Sequence, residues 1–204
     1  MFIKVVDFLS IMPIMPIYII EHLEEKLWPW CVIEYKHIAA IVGKKNVLFT
    51  NVKSRKLDGI GETSSQSIVE IYRKKKLKNI CVLDPAAAIM LKPKEAKTFD
   101  CFIFGGILGD YPPQKRTESE LTSKMRGISA RNIGTKQMST DTAVYVVHEI
   151  VSGKKLSAFT FQDGVEIALR KHESTVLPYR YVVIDGKSRL SKELVKFLKK
   201  KTGI

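Results

Sequence analysis

The stretch 99-FDCFIFGGILGDYPP-113 carries an apolar run into two adjacent glycines, then Ile107-Leu108, a third glycine, Asp110 and a double proline. Over 100-DCFIFGG-106 the apolarity is continuous rather than alternating, which fits a strand covered on both faces in a parallel sheet between helices. Adjacent glycines stand where backbone bends sharply or passes close to something. The stretch therefore predicts a turn at the carboxyl end of a sheet, where ligands of α/β folds gather. An apolar run also stops at turn residues in 79-NICVLDP-85.

Working outward, Pro16 to Ile20 is β-branched and aromatic and reads as a first strand, closed by the charged 21-EHLEE-25. Residues 30-WCVIEYKHIAAIV-42 have apolar groups at helical spacing with Gly43 as C-cap, and 46-NVLFTNV-52 reads as a second strand. A polar loop (53–65) leads to a helix over 65–76, whose end belongs to the charge run Arg73 to Lys78, a solvated helix terminus facing the dipole. After a polar connection (114–130), Ser139 or Thr140 caps a helix starting near Asp141 and ended by Gly153. The tail offers a strand over 180–186 and a basic amphipathic helix over 190–201, with Leu190, Leu194, Phe197 and Leu198 inward. Alternating strands and helices predict an α/β fold, a mostly parallel sheet flanked by helices, in one domain.

The composition bounds the partners. In 204 residues, 34 Lys and Arg against 21 Asp and Glu give a formal charge of +13, which suits an anionic partner such as nucleic acid and equally serves solubility. Cys31, Cys81 and Cys101 stand alone in apolar runs without a C-x-x-C spacing, which points to a reducing, cytoplasmic compartment. His22, His37, His148 and His172 are scattered, so no metal site is expected. In the apolar first twenty residues, Asp7 interrupts the run and Pro13 and Pro16 break any helix, so neither a signal peptide nor a membrane span is expected. Residues 1–17 read as a short extension, or as a start placed too early, because Met15 directly precedes the first strand.

The common phosphate fingerprints are missing. G-G-x-x-G is not G-x-G-x-x-G, no P-loop occurs, and Pro112-Pro113 replaces the helix N-terminus that would hold a pyrophosphate. There is no G-x-S-x-G elbow. What remains is a three-loop constellation around a sheet end, suited to a mostly apolar, flat ligand contacted through backbone groups.

Phe104-Gly105-Gly106-Ile107-Leu108-Gly109-Asp110, the following Pro112-Pro113 with Arg116-Thr117, and 131-RNIGTKQMSTDTAV-144 resemble the SPOUT class of methyltransferases. More narrowly, with 18-YIIEHLEE-25, Leu83-Asp84-Pro85 and 177-LPYRYVV-183, they resemble the archaeal and eukaryotic branch that includes the fungal arginine methyltransferase of a small-subunit ribosomal protein. The likeness runs from about Tyr18 to the C-terminus. It implies one SPOUT-like domain over 18–204, with a C-terminal deep trefoil knot that forms an S-adenosylmethionine pocket.

The same resemblance assigns the cofactor to three loops: Leu83, Asp84 and Pro85; Phe104, Gly105, Gly106, Ile107, Leu108, Gly109 and Asp110; and Asn132, Ile133, Gly134, Gln137, Met138, Ser139, Thr140 and Thr142. Alternatives stay open at single positions. The glycine pair and Asp84 could be plain turn formers, Asp141 could stabilise a helix N-terminus, and Met138 could be packing.

Methyl transfer from a sulfonium is an in-line displacement, so the protein mainly supplies position. An arginine acceptor keeps its proton until pH above about 12 and needs carboxylates to orient it. Glu21, Asp110 and Asp141 are the candidate catalytic carboxylates, with Glu21 favoured; His22, Glu24, Arg116 and Arg131 are candidates for acceptor binding. The expected acceptor is an arginine of a ribosomal or RNA-associated protein. The rivals are rRNA or tRNA methylation and a non-catalytic ribosome- or RNA-binding protein. A monomer is expected in preference to a homodimer.

Overall fold

The structure is a computed structural model that describes residues 15–75, 78–106 and 116–201. The expectations for Ile107, Leu108, Gly109 and Asp110 lie outside the described residues. The main sheet contains β1 (Ile17–His22), β2 (Val47–Thr50), β3 (Glu62–Thr63), β4 (Ile80–Leu83), β5 (Cys101–Gly106) and β6 (Ser129–Arg131). Its order is β3-β2-β1-β5-β4-β6, and every pairing in it is parallel. All residues of β1 and β4 are buried, as continuous apolar runs require in a sheet covered on both faces.

Strand parity sorts the two faces. Tyr18 and Ile20 of β1 and Phe102 and Phe104 of β5 pack with α1 (Pro29–Val42) and α5 (Thr140–Val151). Ile17, Ile19, Cys101 and Ile103 face the other way, toward Ile68 and Ile71 of α2 (Ile68–Lys75). Gly43, at φ 85°, ends α1 as expected, and its amide bonds back to the Ala39 carbonyl. Two short helices, α3 (Pro93–Ala96) and α4 (Arg116–Glu120), follow β4 and β5.

Three expectations are corrected. Gly105 and Gly106 are not the turn itself but the last two residues of β5, paired with Glu21 and His22 of β1. Within 114–130, α4 and the start of β6 replace a featureless connection; β6 is only three residues long and too short to show a period. The C-terminal strand also has partners outside the main sheet. β7 (Thr160–Arg170), β8 (Glu173–Ile184) and β9 (Lys187–Ser188) form a separate antiparallel sheet. Its inner residues Val165, Ile167, Leu177 and Tyr181 pack with Ile33 of α1 and Leu194 of α6 (Lys192–Lys201); Leu190, Phe197 and Leu198 join them from that amphipathic tail.

Among the described residues no helix is long and apolar enough to cross a membrane, and no group of His, Cys, Asp and Glu could hold a metal ion.

Candidate active site

A cavity of about 540 Å³ opens at the carboxyl ends of β4 and β5. That volume lies within the usual range for a small-molecule site. The cavity is lined by Leu83, Asp84 and Pro85 after β4, by Phe104 and Gly105 of β5, by Ile133, Gly134, Gln137 and Met138, by Thr140 of α5, and by Arg116 of α4. All three anticipated segments therefore meet at one place. Gly106, Asn132, Ser139 and Thr142 are buried behind this lining.

Backbone bonds hold the segments together. The Asp84 amide donates to the Arg131 carbonyl at 3.0 Å, and Asn132 and Ile89 to Leu91 exchange bonds at 2.8 and 2.9 Å. Asn132 Nδ2 also donates to the Ala87 carbonyl at 2.8 Å, while its Oδ1 accepts from the Gly134 amide at 3.0 Å. Gly134 turns the loop at φ 99°, a conformation that favours glycine. Thr140 Oγ1 donates to the Gly105 carbonyl at 3.4 Å. From the other side, the Arg180 amide of β8 donates to the Gln137 carbonyl at 2.9 Å, and Met138 pairs with Arg180. Met138 is thus both lining and packing. Asp84 is the turn former: Oδ1 accepts from the Ala86 amide at 2.9 Å and Oδ2 from Thr122 Oγ1 at 2.6 Å.

Sequence reasoning missed Ala86, Ala87, Thr117 and Ala143, which also line the cavity, as do Thr135 and Lys136 within the expected loop from Asn132 to Thr142. The signal for the alanines was the small-residue run after Asp84-Pro85, which leaves room beside the backbone. Lys136 Nζ reaches back to Asp163 Oδ2 of β7 at 3.3 Å.

The charged candidates divide sharply. Glu21, favoured for orienting an acceptor arginine, is buried on the α2 face and does not line the cavity. It accepts from Thr50 Oγ1, from Ser67 Oγ at 2.5 Å and from the Ile68 amide at 2.9 Å. It serves the amino end of α2, where a helix favours an anion. His22 is also buried, on the opposite face, with Nδ1 2.8 Å from the Tyr35 hydroxyl. Burial holds its imidazole below the ordinary value, against the opposing pull of Glu24. Arg131 turns away from the cavity to pair with Glu95 of α3, its Nε donating at 2.9 Å. Asp141 is buried behind the cavity wall, with Oδ2 2.6 Å from His37 Nδ1.

Arg116 lines the cavity and holds Glu24 beside it. Arg116 Nη1 donates to Glu24 Oε1 at 3.0 Å, Nη2 to the Leu23 carbonyl at 2.7 Å, and Nε to Glu120 Oε1 at 3.1 Å. Arg116 thus engages two carboxylates at once, those of Glu24 and Glu120.

The comparisons with known proteins agree with this geometry. The chain matches the family described as "Protein arginine N-methyltransferase SFM1-like" over residues 17–203. It is 34% identical over 200 residues to "Protein arginine N-methyltransferase SFM1" of Saccharomyces cerevisiae, covering 90% of this chain and 94% of that protein. The crystal structure of yeast arginine methyltransferase SFM1 complexed with SAM superposes with a TM-score of 0.84 at 33% identity, covering 98% of this chain and 97% of that one. The complex of the yeast enzyme with SAH superposes at 0.81 and 32% identity, over 91% and 96% of the two chains. A Trm10 structure from Thermococcus kodakaraensis shares the fold alone, at a TM-score of 0.56 and 16% identity over 70% and 95% of the chains. The mostly parallel sheet with its flanking helices is the SPOUT fold that the motifs imply. With the match spanning the described strands of both sheets and the lining of the cavity, this chain belongs to the SFM1-like family of protein arginine N-methyltransferases.

Proposed function

We propose that this chain transfers the methyl group of S-adenosylmethionine to an arginine of a protein. The observation that carries the reading is the cavity where the three family-like segments converge at the ends of β4 and β5. Its walls fit the cofactor's chemistry. Leu83, Phe104, Ile133 and Met138 offer apolar surface, and the small residues Gly105, Gly134, Ala86 and Ala87 bring backbone polar groups within reach of a ribose and an adenine. When bound, the cofactor supplies an electrophilic methyl group on a sulfonium. The chain's residues hold the two reactants in line.

The acceptor guanidinium stays protonated at neutral pH. It must be oriented by carboxylates, and its proton must be accepted during or after attack. Glu24 and Glu120, both bonded to the cavity-lining Arg116, are the carboxylates that stand beside the cavity to orient it. Glu21 and Asp141, both spoken for behind the walls, are not.

The formal charge of +13 further supports an acceptor protein carried on RNA, such as a ribosomal protein, since a basic surface gains affinity from phosphate backbone. Three free, buried cysteines fit a cytoplasmic setting. Incubating the protein with methyl-labelled cofactor and separated ribosomal proteins and RNA tests the reading. Label recovered as alkali-stable methylarginine supports it; label in protease-resistant RNA assigns the enzyme to nucleic acid instead.

A further inference from the structure

The first turn of α5 is a wall of the cavity, through Thr140 and Ala143. What fixes that wall lies one residue away and out of contact with the cavity. Asp141 Oδ1 accepts from Ser139 Oγ at 2.6 Å and from the Thr142 amide at 2.9 Å. Its Oδ2 lies 2.6 Å from Nδ1 of His37, a residue of α1 that is 104 positions earlier in the chain. For Asp141 to be the acceptor in this bond, His37 must carry its proton on Nδ1. Ser139 Oγ also reaches Thr142 Oγ1 at 2.8 Å, and Thr140 Oγ1 points to the Gly105 carbonyl.

The N-cap residue Ser139 makes no side-chain bond to the free amides of this helix end; Asp141, in the first turn, accepts one of them, from Thr142. The second oxygen of Asp141 is committed to another helix, so this carboxylate links two elements. It fixes α5 against α1 at the one turn that meets the cavity. The surroundings are largely buried: Glu34, one turn before His37, is buried beside Asp141, and only 18% of the His37 side chain is exposed. In such a setting a charge-assisted hydrogen bond is strong and its geometry is closely held.

We propose that His37 and Asp141 are positioning residues: through their bond, α1 sets the stance of the α5 turn, and thus of Thr140 and Ala143, against the cofactor. The inference rests on the reading of the cavity as an S-adenosylmethionine site. It places Asp141 among the residues that act through others, not among those that touch the reacting atoms.

The test uses the full chain with His37→Asn, whose Nδ2 restores a donor near the Nδ1 position, and His37→Leu, which keeps volume without a donor. Calorimetry with S-adenosylhomocysteine measures affinity, and steady-state kinetics separate KM from kcat. His37→Leu is expected to weaken binding about tenfold, the scale of one hydrogen bond, while His37→Asn stays within about threefold of wild type. The turnover number at saturating cofactor should be close to wild type in both. Unchanged affinity in His37→Leu overturns the inference, and so does equal weakening in both variants, which would mark a packing role. Where His37→Leu does not fold, His37→Ala at the same position supplies the donorless comparison. Wild-type protein that binds no S-adenosylhomocysteine removes the cofactor reading itself, an outcome distinct from either result with the variants.

Discussion

Tyr35 and Gly106 are packed so closely that a Cβ on the glycine would lie 2.5 Å from the tyrosine hydroxyl oxygen. The same Cβ would stand 3.0 Å from the Glu21 carbonyl oxygen and 3.1 Å from Ile20 Cγ2. The second glycine of the pair is therefore demanded by α1 and β1. Only Gly105, its neighbour, lines the cavity.

Gly106→Ala should destabilise the fold by about 1–3 kcal/mol, the usual scale of overpacking. Removing the offending oxygen in Tyr35→Phe/Gly106→Ala should recover part of that loss, although Tyr35→Phe alone forfeits the bond to His22. Urea unfolding of the two single variants and the double variant measures the coupling. Strictly additive losses would count against this contact.

Glu21→Gln separates structure from catalysis. The carboxylate accepts from Ser67 and from the Ile68 amide at the start of α2, so its loss should cost about 1.5–3 kcal/mol of stability. Methyl transfer assayed well below the unfolding transition should remain near wild type. A folded variant without turnover would restore Glu21 to the chemistry.

Glu24→Gln should raise KM for an arginine peptide roughly tenfold, because a charge-assisted pairing is lost at the proposed acceptor site. The affinity for S-adenosylhomocysteine, measured in parallel, should not move. An unaltered peptide KM would exclude Glu24 from acceptor recognition.

The Glu34 carboxyl is pushed well above its ordinary range, chiefly by burial and then by the Asp141 charge. The sign follows from linkage. As pH rises past the ordinary carboxylate range, the unfolded chain releases this proton while the folded chain keeps it. Stability that is present in acid is lost as pH climbs toward the raised folded value, by at most about 1.4 kcal/mol per pH unit. Glu34→Gln removes this loss, so its urea midpoint should gain on wild type between pH 5 and 7. A constant difference across that window would contradict the assignment.

Burial pushes the Cys31 thiol up to about 11 and the Cys81 and Cys101 thiols up to about 12. Since the thiolate is the reactive species, native protein at pH 7.5 should resist a colorimetric disulfide reagent. All three thiols should react once the chain is unfolded. Rapid labelling of the native state would disprove their burial.

The strands β1, β2, β4 and β5 were legible because unbroken apolar runs have a single cheap solution, a sheet covered on both sides. The β7 strand was not. Its alternation is interrupted by a register shift between Asp163 and Val165, where Gly164 adopts φ 74°. The cavity-lining segments were legible as motifs. Which carboxylates face the cavity was not, since that depends on strand parity: Glu21 shares its face with Ile17 and Ile19 and so meets α2. The bond from His37 to Asp141 spans 104 positions, and no local pattern announces it.

The cavity loop is braced from the end of the chain. Gln137 accepts from the Arg180 amide, and Lys136 and Arg180 both engage Asp163, the latter at 2.6 Å. Synthesis proceeds from the N-terminus, and early segments begin to fold before late ones exist. The six strands of the main sheet are complete once Arg131 has emerged, but the brace is still to be translated. A nascent chain can thus complete the strands of its central sheet before the contacts that hold Lys136 and Gln137 at the cavity exist.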